Sequence, residues 1–295
     1  MMRCLAVGET ARRAGWGVCM SADLSALPWV RPWLSDLGVD VVDAVNSDAL
    51  VALALETGAD VILLDCYDFD DMRRPASDAG VLLANFEDGA FGQRDADVGI
   101  DYALGAEHSA PAGMSGRVEL RGIAYAPIRY EIRAARAEHR PTAYAGATGR
   151  VLVLMGGTDA HGLGSGLAAL LSSAGVAALS PPPGLALVNA LRTVDAVVSA
   201  AGVSAYELCC LGMPIGLVQV APNQQANYDR LTDSGAATGL GSADRIRSDP
   251  TGLSADVLGW LETPDRLAQT AARAWELVDG FGADRILAAL GQLSR

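Results

Sequence analysis

The chain has 295 residues, 51% hydrophobic and 19% charged, with no apolar run near the ~20 residues a membrane-spanning helix needs and no charged-then-apolar leader, so the expected compartment is the cytoplasm. That length fits one large or two medium domains, each with room for a core. The net charge of −13, with every basic side chain an arginine and no basic stripe, argues against a nucleic-acid partner but leaves room for one small anion held by backbone amides.

The opening MMRCLAVGETARRAGWGVCM predicts a helix first and a strand second. Leu5, Val7 and Ala11 sit among helix formers, Gly15 closes the run, and 17–20 is a short apolar stretch. Strands are predicted at 39–43, 61–65 and 81–85, with helices at 28–37 and 47–57. Between about residues 126 and 150 the pattern breaks. PIRYEIRAARAEHRPTAYAGATGR is Arg-rich, lacks a strand signal, and reads as a surface helix and a linker. Alternation restarts at VLVLMGG, with strands at 151–155, 196–199, 215–218 and 236–240 and helices at 163–173, 185–193, 203–211 and 224–234. From about residue 255 only helices are predicted. The βαβα order predicts an α/β fold of two Rossmann-like domains with parallel sheets, residues 1–145 and 146–295. Ligands of such sheets bind outside the C-terminal ends of the strands, which for two facing domains means the cleft between them. The cysteines Cys4, Cys19, Cys66, Cys209 and Cys210 form no C-x-x-C pair and read as buried, reduced thiols, not as a zinc site or a disulfide framework.

Three stretches carry possible chemistry. In VLVLMGGTDAHGLGSGLAALL a strand runs into Gly156, Gly157, Thr158 and Asp159, then into a glycine-rich helix start. Glycines let a backbone approach an anion and the helix supplies free N–H groups, although a tight turn explains the glycines equally well. No G-K-[ST] follows, and Gly162, Gly164 and Gly166 have the wrong spacing for a dinucleotide fingerprint. In VDAVVSAAGVSAYELCCLGMPIGLVQVAPNQQANYDRL a strand ends in small residues up to Gly202 and a helix follows at once. Ser204 is placed to cap or to touch a phosphate. Glu207, in the first two turns, can accept both hydroxyls of a ribose. The next strand leads to Asn223, Gln224, Gln225 and Asn227, which are either plain helix caps or a polar cluster at the same sheet edge. In VILLDCYDFDDM, Asp65 and Tyr67 follow an apolar strand and are expected in the cleft, with an N-cap as the alternative for Asp65. Asn85, Glu87 and Asp88 after the next strand are similar.

SAAGVSAYELCCLGMP followed by APNQQANYDRL resembles the nucleotide-sugar half of GT-B proteins, above all the UDP-sugar hydrolase of the pseudaminic acid pathway and its spore-coat-polysaccharide relatives, which also resemble MurG-type glycosyltransferases. LLDCYDF looks like that family's D-x-Y strand end, GIAYAPIRYEI its G-x-x-Y-x-x-[LI]-R segment, and MGGTD its GG-[ST]-D loop. The resemblance implies a GT-B fold with a UDP-sugar in the interdomain cleft. Gly156, Gly157 and Thr158 would lie at the diphosphate, Ser204 and Glu207 on phosphate and ribose, and Tyr67, Gln224 and Asn227 in the sugar pocket. No metal or other cofactor is implied, because helix N-termini substitute for a cation at the diphosphate. It implies cleavage of the anomeric C–O bond, by hydrolysis or by transfer to an acceptor, with a catalytically inactive sugar-nucleotide binder as a third reading. In that family a strand and a G-x-G-H loop, whose histidine is the expected general base, come just before M-R-C-L. Here the chain opens at Met1-Met2-Arg3-Cys4, so either the gene starts upstream or the motif is lost. The remaining candidates for a base are His161, just past the GG loop, with Asp65 and Asp159. His139, in the Arg-rich linker, reads as solvated, and His108 is the third histidine.

Overall fold

The computed structural model describes residues 1–109, 117–138, 149–156, 159, 162–180 and 187–294. The chain divides into two compact units, Met1–Tyr130 with Phe281–Arg295, and Glu131–Gly280.

The first unit begins with α1 (Met2–Arg13), then β1 (Cys19–Ser21), α2 (Val30–Asp36), β2 (Asp40–Val42), α3 (Ser47–Thr57), β3 (Val61–Leu64), α4 (Arg73–Asp78), β4 (Leu82–Phe86), β5 (Val98–Asp101) and β6 (Val118–Arg121). α1 buries Leu5, Ala6, Val7 and Ala11 and ends on Arg12 and Arg13, cations suited to a helix C-terminus. Asn46 caps α3 by accepting the Ala49 N–H at 3.0 Å, and Gly58 ends it in the left-handed conformation at φ 66°. The strands form two parallel sheets, β1-β2 and β3-β4-β5-β6.

α5 (Tyr130–Arg136) leads into the second unit. It buries Ile132 and Ala135, so it is more than the surface helix its arginines suggested. There follow β7 (Arg150–Leu154), α6 (Leu163–Ser173), β8 (Ala177–Leu179), α7 (Leu187–Leu191), β9 (Ala196–Ala200), α8 (Val203–Leu211), β10 (Ile215–Gln219), α9 (Gln225–Asp233), β11 (Thr238–Ser242), α10 (Ala243–Ser248), α11 (Pro250–Leu261) and α12 (Pro264–Leu277). The sheet is parallel throughout, in the order β11-β10-β9-β7-β8. One core joins Val151, Val153, Leu167, Leu171, Val198 and Trp260. α8 is buried from Ala205 through Leu211, a stretch apolar but for the Tyr206 hydroxyl and the Glu207 carboxylate. The last helix, α13 (Gly282–Leu293), belongs with the first unit.

The α/β class and its parallel strands agree with the βα alternation of the sequence. β5, β6 and β8 were not predicted. β5 contains Gly99, a poor strand former, kept because a Cβ there would meet the Arg117 guanidinium at 2.6 Å. β6 mixes Val118 and Leu120 with Glu119 and Arg121, and β8 has three residues. The cysteines are free, with Cys209 and Cys210 buried but Cys19 exposed on β1, against the expectation that all are buried. No described helix is long and apolar enough to cross a membrane.

Candidate functional site

In the second unit the chain leaves β7 to build β8 on one side, then returns to build β9 on the other. Open parallel sheets bind ligands at such a reversal, outside the strand C-termini. β7 and β9 pair with Leu154 level with Ser199, so the segments that follow them emerge side by side. After β7 stands Gly156, exposed at φ 95°, with open space where a Cβ would be. After β9, Gly202 is the extended N-cap of α8 and, being a glycine, brings no side chain of its own to cap it. Gln224, beyond the adjacent β10, reaches over it, and a Cβ on Gly202 would lie 3.6 Å from Gln224 Nε2. The Gln224 Oε1 accepts the Val220 N–H at 3.1 Å, which fixes the side chain.

Ser204 is half-buried in the first turn of α8, and Glu207, three residues on and so on the same face, is buried. Asn223 lies half-buried in the turn before α9. Asn227 is buried and its Oδ1 accepts the Tyr206 hydroxyl at 2.8 Å, which ties α9 to α8. Tyr206 is a participant that the sequence did not single out; its place beside Glu207 was the available signal.

Asp159 differs from its expected role as a base. At φ 42° it turns its carboxylate onto the start of α6, accepting Leu163 N–H at 2.9 Å and Gly164 N–H at 2.8 Å. It is a helix cap, and it fills the amides that the sequence reading left free for an anion. Gly157, Thr158, His139 and His161 lie outside the described residues.

In the first unit, β3 and β4 pair with Leu64 level with Asn85. Asp65, just after β3, has a side chain only 7% exposed and bonded to the Arg3 guanidinium, with Arg3 Nε at 3.1 Å. Burial by itself would raise its carboxyl, but Arg3, then the Met1 amino group, outweigh that and hold it at about 2. Near neutrality Asp65 is a fixed counter-ion with little tendency to take up a proton. Asp88, beyond β4, accepts Arg3 Nη1 at 2.8 Å on Oδ1 and the Tyr67 hydroxyl on Oδ2. Tyr67 is 42% exposed. Arg3 was missed by the sequence reading, since its partners stand 62 and 85 residues away.

Beside this cluster lies a buried ionic ladder. Arg117 donates to Glu87 at 2.8 and 3.1 Å and also pairs with Glu119, while Arg121 joins Glu87 at 3.4 Å and Asp101 at 3.1 Å. Glu87 therefore serves the scaffold. Asn85 donates to the Gly92 carbonyl at 2.8 Å and is fully buried. His108 is exposed beside Glu107. Among the described residues no three His, Cys, Asp or Glu side chains group as a metal site.

No family model and no curated protein matches the sequence. Solved structures do match. MurG of Acinetobacter baumannii is 16% identical over 99% of this chain and 95% of that one, at a TM-score of 0.67. S. aureus MnaA, in a co-structure with UDP, is 10% identical over 99% and 93%, at 0.64. A glycosyltransferase of Streptomyces sp. SF2575 complexed with thymidine diphosphate is 14% identical over 97% and 95%, at 0.57. Together with the two parallel-sheet units, these likenesses show that the chain has the GT-B fold.

Proposed function

We propose that the chain is a nucleotide-sugar enzyme that holds UDP-sugar on its second unit and breaks the anomeric C–O bond. The observation that supports this most is the reversal of strand order between β7 and β9, which lines up a glycine turn, a helix start at Gly202 and the Glu207 carboxylate at one sheet edge. In this reading the diphosphate lies at the start of α8, where Gly202 admits the backbone and Ser204 adds a hydroxyl. Glu207 accepts the ribose hydroxyls. Gly156, Gly157 and Thr158 take the other end of the diphosphate, and Asn223, Gln224 and Asn227 line the sugar. The positive end of α8 stabilises the leaving diphosphate without a metal.

Two fates of the sugar fall within the proposal. Transfer to a hydroxyl acceptor is favoured by the likeness to a glycosyltransferase bound to a nucleoside diphosphate. Delivery to water is favoured by the resemblance of residues 194–231 to the pseudaminic-pathway UDP-sugar hydrolase. Chromatographic assay of UDP release from UDP-glucose and UDP-N-acetylglucosamine separates them. Release in water alone means hydrolysis, and release only with an added alcohol or sugar acceptor means transfer. Binding with no release under any condition would leave a non-catalytic binder, and absence of UDP binding would refute the proposal.

A further inference from the structure

Within the second unit, the starts of α8 and α9 meet along a seam. On α8 the residues that face it are Gly202 and, one turn on, Tyr206. On α9 they are its N-cap Gln224 and, one turn on, Asn227. Gln224 Nε2 lies over Gly202 at the strand end, and one turn deeper the fully buried Tyr206 meets Asn227. The two carboxamides are held in the same way. The Gln224 Oε1 accepts the Val220 N–H at 3.1 Å, and the Asn227 Oδ1 accepts the Tyr206 O–H at 2.8 Å. A carboxamide carries its oxygen on one side and its NH2 on the other, so a fixed oxygen turns the NH2 away from the group that fixes it. Among the described residues neither NH2 donates to an acceptor. For Asn227 that is unusual. The residue is only 7% exposed, and buried amides as a rule spend their donors. Thr238 Oγ1 and Trp260 Nε1 of the same unit are sealed off without partners, but the Asn227 Nδ2 is not among the atoms so sealed.

We propose that Tyr206 is a positioning residue that fixes the Asn227 carboxamide as a hydrogen-bond donor, so that Asn227 and Gln224 together form a donor-only edge for oxygen acceptors of the bound ligand. This rests on the nucleotide-sugar reading and adds what that edge recognises. The Tyr206 hydroxyl spends its hydrogen on the Asn227 Oδ1, which removes that oxygen as an acceptor and leaves the NH2 for a ligand. The Val220 N–H does the same for Gln224. The pair then offers N–H hydrogens and no acceptor. Phosphate oxygens, an N-acyl carbonyl or a sugar hydroxyl oxygen satisfy it, whereas an ammonium group finds nothing to bond. Asp in place of Asn227 keeps the shape and the bond from Tyr206, but puts a second oxygen where the donors were. Phe in place of Tyr206 keeps the buried ring and releases the carboxamide to turn over.

The test is calorimetry of UDP, UDP-glucose and UDP-N-acetylglucosamine on the full chain and on Asn227→Asp and Tyr206→Phe, with thermal unfolding of each. Beside it, magnetic resonance of isotope-labelled protein follows the side-chain NH2 signals of Asn227. Asn227→Asp is expected to bind at least about tenfold more weakly, and Tyr206→Phe about three- to tenfold more weakly. In the parent the Asn227 NH2 signals move when ligand is added, and in Tyr206→Phe they move less, which a purely structural Tyr206 would not cause. Equal weakening for all three ligands assigns the acceptor oxygen to the diphosphate, and weakening confined to the sugar nucleotides assigns it to the sugar; both support the proposal. A folded Asn227→Asp chain within about threefold of the parent for every ligand overturns it and leaves the nucleotide-sugar reading intact. So do parent Asn227 NH2 signals that stay still on binding. Should Asn227→Asp lose its thermal transition, Tyr206→Phe decides: affinities equal to the parent's with an unchanged signal movement overturn the proposal. Absence of binding of all three ligands by the parent overturns both.

Discussion

Asp65→Asn isolates the electrostatic centre of the first unit. Its carboxyl is held at about 2 instead of 3.8, against a burial effect that pulls the other way, by Arg3 and then the Met1 amino group. The difference, at about 1.36 kcal/mol per pH unit, amounts to about 2.5 kcal/mol of stability near neutrality. The side chain is 7% exposed, so solvent screening takes little from it. A group whose folded value lies below its unfolded one stabilises fully above the unfolded value and loses that contribution as pH falls toward the folded one. Asp65→Asn should therefore be about 2–3 kcal/mol less stable at pH 7, and roughly half of that gap should remain at pH 3. Hydrogen exchange read by mass spectrometry on peptides covering β3 and β4, across a urea series, gives the local free energy in this unit. A variant as stable as the parent at pH 7, or a gap of unchanged size at pH 3, would refute the argument.

Other outcomes follow from the same contacts. Arg117→Met strands part of the fully buried Glu87 charge and should cost about 3–5 kcal/mol in thermal unfolding, with much of it recovered in Arg117→Met/Glu87→Leu. Asp159→Ala removes the α6 cap and should cost about 0.5–2 kcal/mol while kcat stays within about threefold; a collapse of kcat would make Asp159 the base after all. If, as proposed, a helix start stands in for a cation at the diphosphate, UDP affinity and UDP release should be indifferent to EDTA. Loss in EDTA that magnesium restores would contradict that.

The sequence made the local features legible. α3, α6 and α8 have the predicted bounds, because each combines an apolar run with a clear start and a glycine or polar stop. The glycine turns and Glu207 could be read from the second unit because each lies within a few residues of a strand end. What stayed hidden was set by partners far along the chain. Arg3 reads as one basic residue in a first helix, yet it is the counter-ion of two strand ends. Asp159 reads as a candidate base at the end of the glycine loop, and its place as the cap of α6 goes with a φ of 42° that the sequence does not announce. β5 escaped notice because Gly99, which weakens a strand locally, is required by the packing of Arg117, the residue just before β6.

Calorimetric titration of UDP into the purified chain and into Glu207→Ala bears most directly on the assignment of the nucleotide to the second unit. The account predicts binding to the parent, and a loss of about 1.5–3 kcal/mol, on the order of tenfold to a hundredfold in affinity, when the charge-assisted ribose contact is removed. Thermal unfolding of the variant, run alongside, separates lost binding from lost fold. Equal UDP affinity in a folded Glu207→Ala chain, or no UDP binding by the parent, would contradict it.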